Sequence, residues 1–150
     1  MLSNESIYDK AFRFAAKAHE GQWDKGGNPY IEHPKRVAAR FTDDRLKAIS
    51  LLHDIVEDSH VTVQEIAREF GQAIADEVEA LTRRENEPYP DYIQRVAPRP
   101  LARLVKIADL KDNLELTRLK SVTPETEERL ARYQGALEKL LVDEANDTNL

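Results

Sequence analysis

The chain of 150 residues contains no cysteine. That absence excludes disulfides, thiolate-ligated zinc or iron–sulfur clusters and thiol catalysis, and it suits a reducing cytoplasm. Cations are outnumbered: 22 Lys and Arg stand against 28 Asp and Glu, a formal net charge of −6. General binding to polymeric nucleic acid or an anionic membrane calls for a basic excess or patch, so neither is expected. No apolar run approaches the roughly 18 residues of a membrane span. The opening Met1-Leu2-Ser3-Asn4-Glu5 lacks the basic start of a signal peptide. Strand-like alternation is almost missing, and the 5 glycines and 7 prolines gather at a few breakpoints. These features describe one cytoplasmic domain over residues 1–150, without repeats or low-complexity segments.

What the sequence does have is helical spacing. A first helix is expected over about 4–20, with Ile7, Ala11, Phe14, Ala15 and Ala18 as its apolar stripe, followed by a loop at 21–29. A second helix starts near His33-Pro34, and Asp43 and Asp44 cap a third carrying Leu46, Ile49 and Leu52. Thr62-Val63-Gln64-Glu65 reads as a capping box for a helix ending near Phe70-Gly71. Helices over about 72–83, 92–96 and 99–116 follow. Thr123-Pro124 opens a packing helix over about 124–142, and the polar tail from Asp143 is expected to fray. The expected fold is all-α, a single compact bundle of six to eight helices.

Two stretches carry chemistry. On a helix turning about 100° per residue, Leu51, Leu52, Ile55 and Val56 share one side, while His53, Asp54, Glu57 and Asp58 share the other. Three carboxylates and an imidazole so placed repel one another unless a cation or water relieves them. In the apolar run from Leu104 to Leu114, Lys106, Asp109 and Asn113 fall on one narrow stripe. A buried carboxylate needs a partner, and either Lys106 or a metal can serve Asp109. His33 opens the second helix beside a Gly/Pro loop, where it either faces a cleft or makes a helix-start hydrogen bond. With His53, Asp54 and Asp109 it would form an N₂O₂ set suited to manganese, iron or zinc, with room for water. Glu57 and Asp58 would then hold or deprotonate that water. His19 packs or hydrogen-bonds beside the loop, and His60 sits in a solvated turn. Trp23 is either a stacking platform for a base or a cover for the core.

Four motifs occur in order: Ala18-His19-Glu20-Gly21-Gln22, Pro29-Tyr30-Ile31-Glu32-His33-Pro34, His53-Asp54-Ile55-Val56-Glu57-Asp58, and Lys106-Ile107-Ala108-Asp109 with Asn113. On these residues the chain resembles the HD-type hydrolase domain of the RelA/SpoT homologue family, in its stand-alone form, the small alarmone hydrolases, over about residues 8–118. The resemblance implies an all-α domain holding one Mn²⁺, or another divalent transition metal, and removing pyrophosphate from the 3′ position of guanosine tetra- and pentaphosphate. It implies His33, His53, Asp54 and Asp109 as metal ligands, Glu57 and Asp58 for water activation and proton transfer, and Lys25 and Asn113 at the nucleotide. Lys106, Trp23 and Asp24 accompany them as substrate-side residues. The family's loop usually reads Arg-Lys where this chain has Asp24-Lys25, and its stretch after the metal aspartate also differs, reading here Leu110-Lys111-Asp112-Asn113. An adenine alarmone, another nucleotide 3′-phosphoester, or a catalytically silent metal- or nucleotide-binding module are the alternatives. The implied partner is a small nucleotide, and nothing in the sequence fixes an oligomeric state.

Overall fold

The computed structural model of the protein describes residues 5–24, 26–118 and 123–148. Among them there are nine helices and no strand, so the chain is all-α as expected. Eight helices have eight or more residues, and the ninth, α4, is a single turn. Two compact units divide the chain, one ending at Thr82 and the other starting at Arg83. No described helix is long and apolar enough to cross a membrane.

The first unit holds α1 (Ile7–Ala18), α2 (Glu32–Ala39), α3 (Asp44–Leu52), α4 (Ile55–Asp58), α5 (Val63–Phe70) and α6 (Gln72–Ala80). Its centre is α3, where Ala48, Ile49, Ser50, Leu51 and Leu52 are all buried. That helix packs against α1, α2 and α6. The small residues Ala11 and Ala15 on α1, and Ala38 on α2, are fully buried and let the backbones approach closely. The caps at Asp43 and Thr62 are those expected, and Ser6 adds one that starts α1 at Ile7, later than the expected residue 4. Ser6 accepts from the Asp9 amide at 3.1 Å, Asp43 from Leu46 at 3.0 Å, and Thr62 from Glu65 at 3.2 Å. Gly71 separates α5 from α6 at φ +95°, a conformation that side-chain-bearing residues rarely adopt.

The second unit holds α7 (Tyr89–Val96), α8 (Pro100–Arg118) and α9 (Pro124–Thr148). α8 packs along α9, and α7 rests on both. Two sequence expectations are corrected here. α7 begins at Tyr89 rather than 92, because Pro90 sits in its first turn, where a missing amide hydrogen costs nothing. The tail from Asp143 does not fray before Thr148. Glu144 and Asp147 on α9 both bind the guanidinium of the buried Arg103 on α8, Glu144 at 2.8 Å, and this holds the last turns in place.

Candidate metal centre

In the first unit the loop after α1 is closed from within. The Asp24 amide donates to the Asn28 carbonyl at 2.8 Å and the Tyr30 amide to the Gln22 carbonyl at 2.9 Å. Trp23 and Pro29 pair as an isolated antiparallel bridge. The Asp24 carboxylate accepts from the amides of Gly26 and Asn28, at 2.8 and 2.9 Å, as aspartates do in turns. The Trp23 side chain on this loop is 66% exposed, so it does not cover the core. Lys25 lies outside the described residues.

This loop delivers the chain to the start of α2, where His33 is buried in the first turn. Its ring meets that of His53 edge-on, with centroids 5.6 Å apart. The expected single helix through residues 51–58 is interrupted instead: α3 stops at Leu52, His53 is its C-cap, and α4 starts at Ile55. At the break, His53 Nδ1 lies 2.5 Å from the Ser50 carbonyl, and the Asp54 side chain makes no cap bond to α4. His53, Asp54, Glu57 and Asp58 therefore do not form one regular helical patch.

The break fixes the chemistry of His53. A carbonyl oxygen can only accept, so Nδ1 carries a hydrogen and Nε2 is the nitrogen left for a ligand. Nε2 lies 3.1 Å from Asp54 Oδ2, with the imidazole buried and the carboxylate mostly so. Two bare lone pairs repel at that distance unless a proton or a cation sits between them. Two donors each about 2.1 Å from one ion and at a right angle lie roughly 3 Å apart, which is the spacing found. His33, His53 and Asp54 each offer a ligand atom, and these atoms lie within 4.8 Å of one another. The donor set thus fits a divalent transition metal.

The Tyr30 hydroxyl donates to Asp54 Oδ2 at 2.5 Å. The Gln22 carboxamide donates to the Asp58 carbonyl at 2.7 Å and takes His19 Nδ1 on its oxygen at 2.9 Å. Sequence reasoning gave Tyr30 and Gln22 no role. Their places in the two motifs that flank the loop, Gln22 directly after Gly21 and Tyr30 three residues before His33, were the available signal. Glu57 and Asp58 are solvent-accessible on α4. Loss of water around its carboxylate, and next the charge of Asp54, push the Asp58 pKa above the ordinary aspartate value.

In the second unit, Asp109 is buried on α8. Lys106, one turn earlier, donates to its Oδ2 at 2.9 Å, and Asn113, one turn later, to its Oδ1 at 3.3 Å. The stripe read from the sequence is therefore real, and the Lys106–Asp109 ion pair is part of it. Burial alone would lower the Lys106 pKa, but Asp109 with Tyr92 and Tyr89 more than offsets it, leaving the ammonium well above its usual value. The Lys106 ammonium also lies 5.1 Å from the Tyr92 ring centroid and 6.0 Å from that of Tyr89.

The helical architecture and the His53-Asp54 pair define a class, and residues 11–97 match the family profile of the HD domain. The chain belongs to the HD domain family. Among its relatives is the guanosine-3′,5′-bis(diphosphate) 3′-pyrophosphohydrolase of Aquifex aeolicus, 34% identical over 118 residues, or 71% of this chain and 17% of that protein. The bifunctional (p)ppGpp synthase/hydrolase SpoT of Escherichia coli K12 is 30% identical over 138 residues, 82% of this chain and 19% of that one. The GTP pyrophosphokinase rsh of Brucella abortus (strain 2308) is 44% identical over 84 residues, 53% and 11% of the two chains. This chain thus spans between 11% and 19% of the length of these curated relatives. A solved structure, described as a metazoan orthologue of SpoT that hydrolyses ppGpp and plays a role in starvation responses, superposes with a TM-score of 0.77. The two chains are 26% identical, with 95% of this chain and 88% of that one covered.

Proposed function

We propose that residues 1–150 act as one metal-dependent phosphohydrolase, removing pyrophosphate from the 3′ position of guanosine tetra- or pentaphosphate in the cytoplasm. The observation that carries the reading is the facing of His53 Nε2 and Asp54 Oδ2 at 3.1 Å beside the buried His33. Relatives whose names include ppGpp hydrolysis, over most of this chain, supply the substrate class. His33, His53 and Asp54, with Asp109 as the fourth ligand, would hold one Mn²⁺, a metal to which imidazole and carboxylate donors are suited. When bound, such an ion lowers the pKa of water and polarises a phosphoryl oxygen.

The protein's own groups complete the reaction. Of Glu57 and Asp58, three to five residues on from the ligand pair, one carboxylate accepts the proton of the attacking water. Oxygen from that water bonds to the phosphorus carried by the 3′ oxygen. The bond from phosphorus to the 3′ oxygen breaks, and that oxygen leaves as the ribose hydroxyl by taking the proton that the carboxylate pair received. Lys106 and Asn113 hold Asp109 from either side, and by the family resemblance Lys25 and Asn113 would contact the nucleotide. Trp23, largely exposed, offers an aromatic face to the base.

One observation favours a second reading of the base. Asp24 stands where the family has arginine, and its carboxylate is spent on the loop's own amides. A guanidinium that would lie against the base is therefore missing, and an adenine alarmone or another nucleotide 3′-phosphoester is the alternative substrate.

The test is a panel of guanosine and adenosine 3′-diphosphates offered to metal-stripped protein with and without Mn²⁺, scored for pyrophosphate. Release is expected only with metal and only from wild type, not from Asp54→Ala. One bound Mn²⁺ per chain with no release from any nucleotide would make the chain a silent binding module instead.

A further inference from the structure

We propose that Tyr30 is a positioning residue for the metal centre, its hydroxyl holding the Asp54 carboxylate in the orientation that faces His53 Nε2. The inference rests on the metal-binding reading above and adds to it a residue outside the ligand set.

Asp54 sits at the break between α3 and α4, where its side chain makes no cap bond to α4, and the terminal torsion of an aspartate is intrinsically broad. The Tyr30 hydroxyl donates to Asp54 Oδ2 at 2.5 Å, and His53 Nε2 faces that same oxygen at 3.1 Å. A bond from a hydroxyl to an ionised carboxylate is charge-assisted and directional, so it selects one carboxylate rotamer.

Tyr30 is itself held. Its amide donates to the Gln22 carbonyl at 2.9 Å, and its ring lies between those of His19, at 4.9 Å, and His33, at 5.9 Å. Gln22 in turn joins His19 to the backbone of Asp58. The loop after α1 is thereby tied to both ends of α4, with Tyr30 at one end and Gln22 at the other. A tyrosine fixed in this way can orient a ligand with little further loss of side-chain freedom. Partners of metal ligands typically change metal affinity about 10–100-fold when removed.

The test is Mn²⁺ titration calorimetry on the metal-free full chain, wild type against Tyr30→Phe, with metal-free melting temperatures for both. Tyr30→Phe keeps the ring between His19 and His33 and deletes only the hydroxyl. The expected result is Mn²⁺ binding weakened about tenfold or more, with the metal-free melting temperature within about 2 °C of wild type. Equal affinity in the two proteins overturns the proposal. Weaker binding together with a clearly lower metal-free melting temperature also overturns it, because the hydroxyl then acts through folding. Wild type that takes up no Mn²⁺ overturns the metal reading itself, a different failure.

Discussion

Asp24 accepts two backbone hydrogen bonds inside its own loop, so substitutions there separate shape from charge. Asp24→Asn retains an acceptor oxygen and removes a negative charge from the approach of a polyanionic nucleotide. One charge at 4 Å is worth about 1 kcal/mol in water, so KM for guanosine tetraphosphate should fall about fivefold. Asp24→Ala loses both loop bonds and should raise KM. Metal affinity should be unchanged in both. A rise in KM for Asp24→Asn would show that the charge itself assists binding. For Glu57 and Asp58, alanine in either position should lower kcat about 10²–10⁴-fold while leaving one Mn²⁺ bound per chain. Wild-type turnover in the double variant at matched metal occupancy would remove both from the reaction.

Among the helices, two arginines of the second unit, Arg95 and Arg103, carry ion pairs with separately testable consequences. The carboxylate of Glu87, which also accepts the Arg84 amide, is held at 2.9 and 3.0 Å by Arg95 of α7, and the guanidinium lowers its pKa to about 2. A pKa depressed on folding contributes stability above the unfolded value, near 4.5, and loses it as pH falls toward about 2. Urea midpoints of wild type and Glu87→Gln should therefore differ at pH 7 and converge by about pH 2. A gap that persists unchanged in acid would place the effect elsewhere. Arg103 binds Glu144, Asp147 and the Ala97 carbonyl together. Arg103→Met should leave α8 packed but speed hydrogen exchange at residues 143–148 of α9, detectable by mass spectrometry. Unaltered exchange there would mean that the helix end is held by other contacts.

These elements also mark where the sequence could be read and where it could not. The caps Asp43 and Thr62 and the stripe Lys106-Asp109-Asn113 depend on residues three or four apart, so local spacing reveals them; the Ser6 cap, which starts α1 at Ile7 and not near residue 4, went unread. His53 was legible as a candidate ligand from its polar neighbours, but the helix break beside it, where its side chain meets the Ser50 carbonyl, is something periodicity does not register. Tyr30 acts on Asp54 from 24 residues away, and Arg103 on Glu144 from 41. Contacts at that separation exist only once the helices are packed, so the hold on Asp54 and the ordered end of α9 both lay beyond the reach of pattern.

For the whole molecule, the proposed metal binding would be linked to folding. An ion that binds only the folded chain stabilises it by about 2.7 kcal/mol when present at 100 times its Kd. Over 150 residues that corresponds to a melting-temperature rise of roughly 5–10 °C, which should vanish in His53→Ala. The most direct measurement of the central claim is hydrolysis of guanosine tetraphosphate by the Mn²⁺-loaded protein in ¹⁸O-labelled water, with the products resolved by mass spectrometry. Attack at the phosphorus bonded to the 3′ oxygen puts one ¹⁸O into pyrophosphate and leaves the guanosine diphosphate unlabelled, and this is the expected result. Labelled orthophosphate without pyrophosphate, or no product at full metal occupancy, would contradict the account.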